Sequence, residues 1–93
     1  MEYSIQARCE ALKIAQEAIQ TREDLITFMN QLLEAYDEGY FEEQDAREYL
    51  TGMLHITEAM DHWARNVGFG PGAPEQPSWK WMGRLLHVSF LHS

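Results

Sequence analysis

Apolar side chains recur every three to four positions through most of this chain, the period of one buried face of an α-helix. Between Ser4 and Gln20 they fall at Ile5, Cys9, Leu12, Ala15 or Gln16, and Ile19, with Ser4 placed to cap. Thr21, followed three residues later by Asp24, resembles a capping box, with Glu23 and Asp24 set against the positive end of a helix dipole. No Gly or Pro separates these two helices, so one continuous helix from Ser4 to Glu38 is the alternative; the cap argues for a break. In the second helix Leu25, Phe28, Met29, Leu32, Leu33 and Tyr36 form the stripe, and Gly39 follows where a left-handed residue is wanted.

A third, longer helix is expected from about 42 to 67, its core sector comprising Ala46, Tyr49, Leu50, Met53, Thr57, Met60, Ala64 and Val67. Gly68 supplies its stop, and Gly52 inside it points to a closely packed neighbour. Residues 68–77, "GFGPGAPEQP", hold three glycines and all three prolines and are read as a loop. Ser78 then caps a last helix with two apolar faces, Trp79, Met82, Leu86 and Phe90 on one, Trp81, Leu85 and Val88 on the other. That girth demands burial on two sides, or on one side plus a partner. Trp79 and Trp81 cannot share a face, so one is assigned to the core and the other to an interface. With no strand candidate, the pattern predicts an all-α fold: a single domain, residues 1–93, forming a compact bundle or orthogonal array of about four helices at roughly 4–20, 22–38, 42–67 and 78–91.

Charge changes this picture more than composition does. Fifteen Asp and Glu face seven Lys and Arg, a formal net charge of −8, which argues against nucleic acid and for solubility or attraction to basic partners. Cys9 is the single cysteine, so an internal disulfide is excluded, and its place on the first stripe reads as a small buried hydrophobe. Neither a signal-like N-terminus nor a run of about 20 apolar residues occurs, and the expected location is the cytoplasm, with no membrane contact.

Chemistry is sparse. His55, Glu58 and His62 line up on one helical face and offer imidazole and carboxylate to a metal, but match neither HExxH nor ExxH spacing. A solvated polar stripe is the preferred reading, with metal binding the alternative of another class. His87 and His92 sit at the end of the last helix, where a cation is favoured. "GFGPG" lacks the lysine of a phosphate loop, and Ser78 has no nucleophile elbow, so no catalysis and no cofactor is expected.

By elimination, residues 34–49, "EAYDEGYFEEQDAREY", stand out with seven carboxylates, four aromatic rings and one arginine. Tyr36 and Tyr49 are assigned to the core by helical spacing. Glu34, Asp37, Glu38, Glu42, Glu43, Asp45 and Glu48 are expected to surround the corner between the second and third helices, with Tyr40 and Phe41 as apolar anchors at its tip.

Three stretches, "TREDLITFMNQL" (21–32), "LTGMLHITEAMDHW" (50–63) and "PEQPSWKWMGRLL" (74–86), resemble an uncharacterised family of small acidic bacterial proteins over about residues 21–90. Where that family usually carries Trp-Glu-Asn, this chain reads "EEQDAREY". The resemblance implies no activity; in size and charge the chain is similar to immunity proteins. Together these readings point to a non-enzymatic acidic inhibitor, an immunity protein or antitoxin that docks its corner on a basic toxin or nuclease-like effector. A phage-encoded inhibitor of a defence complex is the alternative, and a homodimer through the last helix, burying Trp81 against a twin, a further expectation.

Overall fold

The computed structural model describes residues 5–91, with side chains from Gln6 onward. The expected Ser4 cap, the Ile5 side chain and His92 lie outside them. Five helices follow in order: α1 (Ile5–Glu17), α2 (Arg22–Asp37), α3 (Ala46–Glu58), α4 (Met60–Asn66) and α5 (Trp79–Ser89). All of the regular structure among the described residues is helical, as the periodicity requires.

The break before α2 is chemical. Thr21 Oγ1 accepts the Asp24 N–H at 3.1 Å, and Asp24 Oδ2 accepts from the Gln20 N–H at 3.0 Å, so two backbone donors are satisfied where the chain leaves α1. The predicted third helix differs in two ways. It starts at Ala46 instead of 42, because Asp45 is the N-cap and closes a capping box with Glu48. It also divides at Ala59, whose φ −100° and ψ 19° leave helical geometry. No Gly, Pro or capping side chain announces that division; the turn brings Trp63 and Ala64 into one buried cluster with Ile56 and Trp81.

α5 is the central element, packed against α1, α2 and α3. Its two apolar faces serve two clusters. Leu86 and Phe90 join Leu12, Ile19, Leu25, Phe28, Leu32, Ala35 and Phe41; Trp81, Leu85 and Val88 join Ile56, Trp63 and Ala64. The carbonyls near its C-terminus, which have no partner within the helix, are satisfied from α3 and the residue before its cap: Tyr49 Oη donates to Leu86 O at 2.7 Å and Gln44 Nε2 to Phe90 O at 3.2 Å.

Trp81 is 5% exposed and Trp79 46%, so Trp81 is the core residue of the pair. The expectation that Trp81 is buried against a second copy is thereby overturned, since the chain buries it against its own Trp63. Several stripe assignments also shift by one position around their helices. Ala46, Leu50, Thr57 and Val67 are exposed, while Gly52, Ile56 and Trp63 turn inward. On α2, Met29 and Leu33 face out, and on α1 it is Gln16 that is buried, with Cys9 and Ala15 half-buried. Tyr36 and Tyr49 are half-buried, each with its ring tilted against Phe90.

Candidate functional site: the acidic corner between α2 and α3

The corner is built by a helix stop. Gly39, at φ 83°, takes the left-handed conformation, its N–H donates to Tyr36 O at 3.0 Å and the Tyr40 N–H to Ala35 O at 2.9 Å. This pairing satisfies the last carbonyls of α2 and reverses the chain. The same motif closes α4, where Gly68 (φ 81°) precedes Phe69 and their N–H groups reach Arg65 O and Ala64 O.

The reversal sends Phe41 inward. It is 5% exposed, stacked on Phe90 with ring centroids 4.4 Å apart and planes 11° apart, and edge-on to His87 at 6.0 Å. Phe41 is therefore a core residue and not a surface anchor, because three rings converge under the corner and exclude water from it. Tyr40 is half-buried, its ring 4.8 Å from that of Phe41; burial and the neighbouring Cys9 thiol hold its hydroxyl above the ordinary tyrosine range.

All seven carboxylates are exposed, and they do different things. Glu38 is ion-paired with Arg8 of α1. Asp45 and Glu48 hold the start of α3: the Glu48 N–H donates to Asp45 Oδ1 at 2.8 Å and the Asp45 N–H to Glu48 Oε1 at 2.9 Å. Their side chains explain helix geometry before they explain recognition. Glu34, Asp37, Glu42 and Glu43 carry no ion pair or side-chain hydrogen bond among the described residues, and these four are the corner's unspent negative charge.

Beside them opens a cavity of about 320 Å³ lined by Leu33, Tyr36, Gln44, Asp45, Ala46, Tyr49 and Phe90. Tyr36 Oη donates to Gln44 O and accepts from the Gln44 N–H, at 3.2 and 3.1 Å, which pins the approach to α3 onto α2. The Gln44 amide nitrogen is used, but its Oε1 is buried without a donor. Leu33 and Gln44 were not among the expected site residues. Leu33 read as core because the apolar stripe of α2 is wider than the face it buries.

His55, Glu58 and His62 are each exposed and do not come together. The face they share in an unbroken helix ends at Ala59, and no three His, Cys, Asp or Glu side chains among the described residues stand close enough to hold a metal ion.

A polar cluster the sequence did not announce lies on the other flank of α5. His87 Nδ1 donates to Gln16 Oε1 at 2.7 Å, and Arg84 forms a two-pronged ion pair with Glu17 while its guanidinium lies 3.8 Å from the Phe69 ring centroid. The Arg84 hydrogen bonds hold the Glu17 carboxyl below its ordinary pKa. His87 was expected as a cation favoured by the helix end; it is buried, and burial, then the Lys13 charge, push it below the ordinary histidine value of 6.5. The folded protein thus binds this proton less readily than the unfolded chain does. Its contribution to stability is complete above about pH 6.5 and is lost as pH falls through the lowered value, at up to ~1.4 kcal/mol per pH unit for one proton. Urea unfolding between pH 7.5 and 5 is expected to show this decline, and a His87→Gln variant to flatten it; an unchanged slope in the variant removes His87 as its source.

The chain belongs to a family of unknown function (DUF7660), whose model matches residues 21–91. No curated protein and no solved structure matches it. The matched segment starts at the Thr21 cap and runs through α5, so α1 and the link after it lie outside the match, although they supply Leu12 and Ile19 to the core and Arg8, Gln16 and Glu17 to the pairs above. No described helix is long and apolar enough to cross a membrane.

Proposed function

We propose that this member of a family of unknown function is a non-enzymatic binding protein that takes a basic protein partner on its acidic α2–α3 corner, as an immunity protein or antitoxin does when it masks the cationic surface of a toxin. The observation that carries the reading is the group of four exposed carboxylates, Glu34, Asp37, Glu42 and Glu43, left without partners among the described residues at one turn of a chain whose net charge is −8. Like charges held together repel, so a cationic surface laid over them gains attraction and relieves that repulsion, and the resulting field accelerates encounter. Asp45 and Glu48 contribute to the field while holding the helix start that positions it.

The reading is tested by affinity capture with wild-type bait and a Glu42→Lys, Glu43→Lys bait, at low and at physiological salt. Asp45 is left intact so that α3 keeps its cap. A basic protein retained by the wild type, weakened by salt and lost from the variant, is the expected result, and the purified partner's activity is expected to fall on addition of the wild type. Identical partners with identical salt sensitivity on both baits overturn it.

A further inference from the structure

α5 packs against both α2 and α3, yet α2 and α3 do not pack on each other, and the space between them, which at the corner end is the cavity that Leu33, Ala46, Tyr49 and Phe90 line, is a trough with α5 at its base. At 100° per residue, Ile26, Met29 and Leu33 fall on the flank of α2 turned toward α3, the side marked by Tyr36 and its bonds to Gln44. The opposite flank, with Thr27 and Gln31, lies against α1. On α3, Ala46 shares a cavity with Leu33, which sets the flank carrying Ala46, Leu50 and Met53 toward α2. Met82, on the arc of α5 between its two buried faces, completes the base.

These side chains are open to solvent to an unusual degree: Leu33 is 61% exposed, Leu50 60% and Ile26 50%, with Met29 and Met82 also exposed. Single exposed leucines need no explanation, but a strip contributed by three helices along one groove does. Its length, that of the 13-residue α3, is about 20 Å at 1.5 Å per residue, which accommodates between three and four turns of a helix. Three methionines, Met29, Met53 and Met82, give the groove walls that adapt to varied apolar side chains.

Charge selects the occupant. At the corner end the rim carries Asp37, Glu42, Glu43 and Asp45 against Arg47, so a second copy of this chain would set acid against acid. The buried Gln44 Oε1 at that end is an acceptor that lacks a donor. Resting on the reading above that the partner is basic, we infer that the groove between α2 and α3 receives a basic amphipathic helix of the partner, its apolar positions at i, i+3 or i+4, and i+7 laid on Leu33, Leu50 and the methionines and its Lys or Arg side chains on the acidic corner. Helix-in-groove recognition needs this combination of an apolar trough and a complementary rim.

The probe is an 18-residue peptide of leucine and lysine with leucine every third or fourth residue, compared by calorimetric titration with a scrambled peptide of the same composition. Wild type is expected to bind the amphipathic peptide at micromolar concentration and the scrambled one at least tenfold more weakly. A Leu33→Ser, Leu50→Ser variant, altered only at exposed positions and checked for an unchanged melting curve, is expected to lose that tenfold preference. Glu42→Lys, Glu43→Lys is expected to weaken both peptides. Equal binding of the two peptides, or retained preference in the leucine variant, overturns the groove and leaves the acidic-corner reading standing. Unchanged binding in the charge variant overturns the corner reading, and no binding of either peptide overturns both.

Discussion

Trp81→Ala is expected to lower the free energy of unfolding by about 3–5 kcal/mol, the range for removing a large buried aromatic. A domain of this size is stable by only about 5–14 kcal/mol, so the variant should unfold at much lower urea or near physiological temperature. Trp81 sits in the cluster with Ile56, Trp63 and Ala64, edge-on to Trp63 at 5.3 Å, and it ties α5 to both halves of the divided third helix. With its ring gone, the remaining side chains lose contact on one side and a cavity is left in the cluster. Trp79→Ala is the paired measurement. Trp79 is 46% exposed, and its removal should change stability much less, by about 1 kcal/mol or below. Urea unfolding of both variants, followed by helical circular dichroism, gives the comparison; equal losses at 79 and 81 would contradict the orientation assigned to α5.

Substituting Gly83 by leucine should be about as damaging, at about 3 kcal/mol or more, for the opposite reason. A Cβ at Gly83 would lie 2.4 Å from Ile19 Cδ1 and within ordinary contact of Phe28 and Leu25. Ile19 and Phe28 are 1% exposed, so the methyl has no open space into which to swing. The missing side chain is what lets α5 approach α2 and the Ile19 link before it this closely. Gly83→Ala separates the two forces involved: alanine improves helix propensity by ~1 kcal/mol, while overpacking costs ~1–3 kcal/mol. The net expectation is a loss of up to about 2 kcal/mol, growing steeply to leucine. Thermal melts of the Gly, Ala and Leu series check the gradient, and an alanine variant more stable than wild type would show that Ile19 can move aside.

Gly83 shows where reading the chain stopped short. A glycine inside a helical pattern signals either weakness or close approach, and only the neighbour that would be struck distinguishes them. Gly39 and Gly68 were legible because each follows the last apolar position of a helix, where chain reversal needs a positive φ regardless of context. The Thr21 and Ser78 caps were legible on the same local ground, and Ser78 Oγ does accept the Trp81 N–H. Asp45 was legible in principle, since Glu48 three residues on completes a capping box, but it was absorbed into the acidic run around it.

The candidate site divides in the same way. Its carboxylates, and their place at the α2–α3 turn, follow from composition and helix stops. Phe41 does not, because whether a ring at a corner faces water or core depends on what waits beneath it, and here Phe90 and His87 wait there. Nor does the groove: Leu33 and Leu50 have the spacing of core residues, and they are exposed because α5 occupies the space between the helices that bear them.

What this sequence determined alone is therefore whatever depends on near neighbours along the chain: helical periodicity, caps, glycine stops, the proline-rich loop and the concentration of acid at one turn. Tertiary structure decided which side of each wide apolar stripe is covered, the division at Ala59, the burial of His87 and the pairing of Glu38 with Arg8 of α1. The physical reason is that periodicity defines a face to within one or two positions, whereas burial is settled by the helix that arrives against it from tens of residues away.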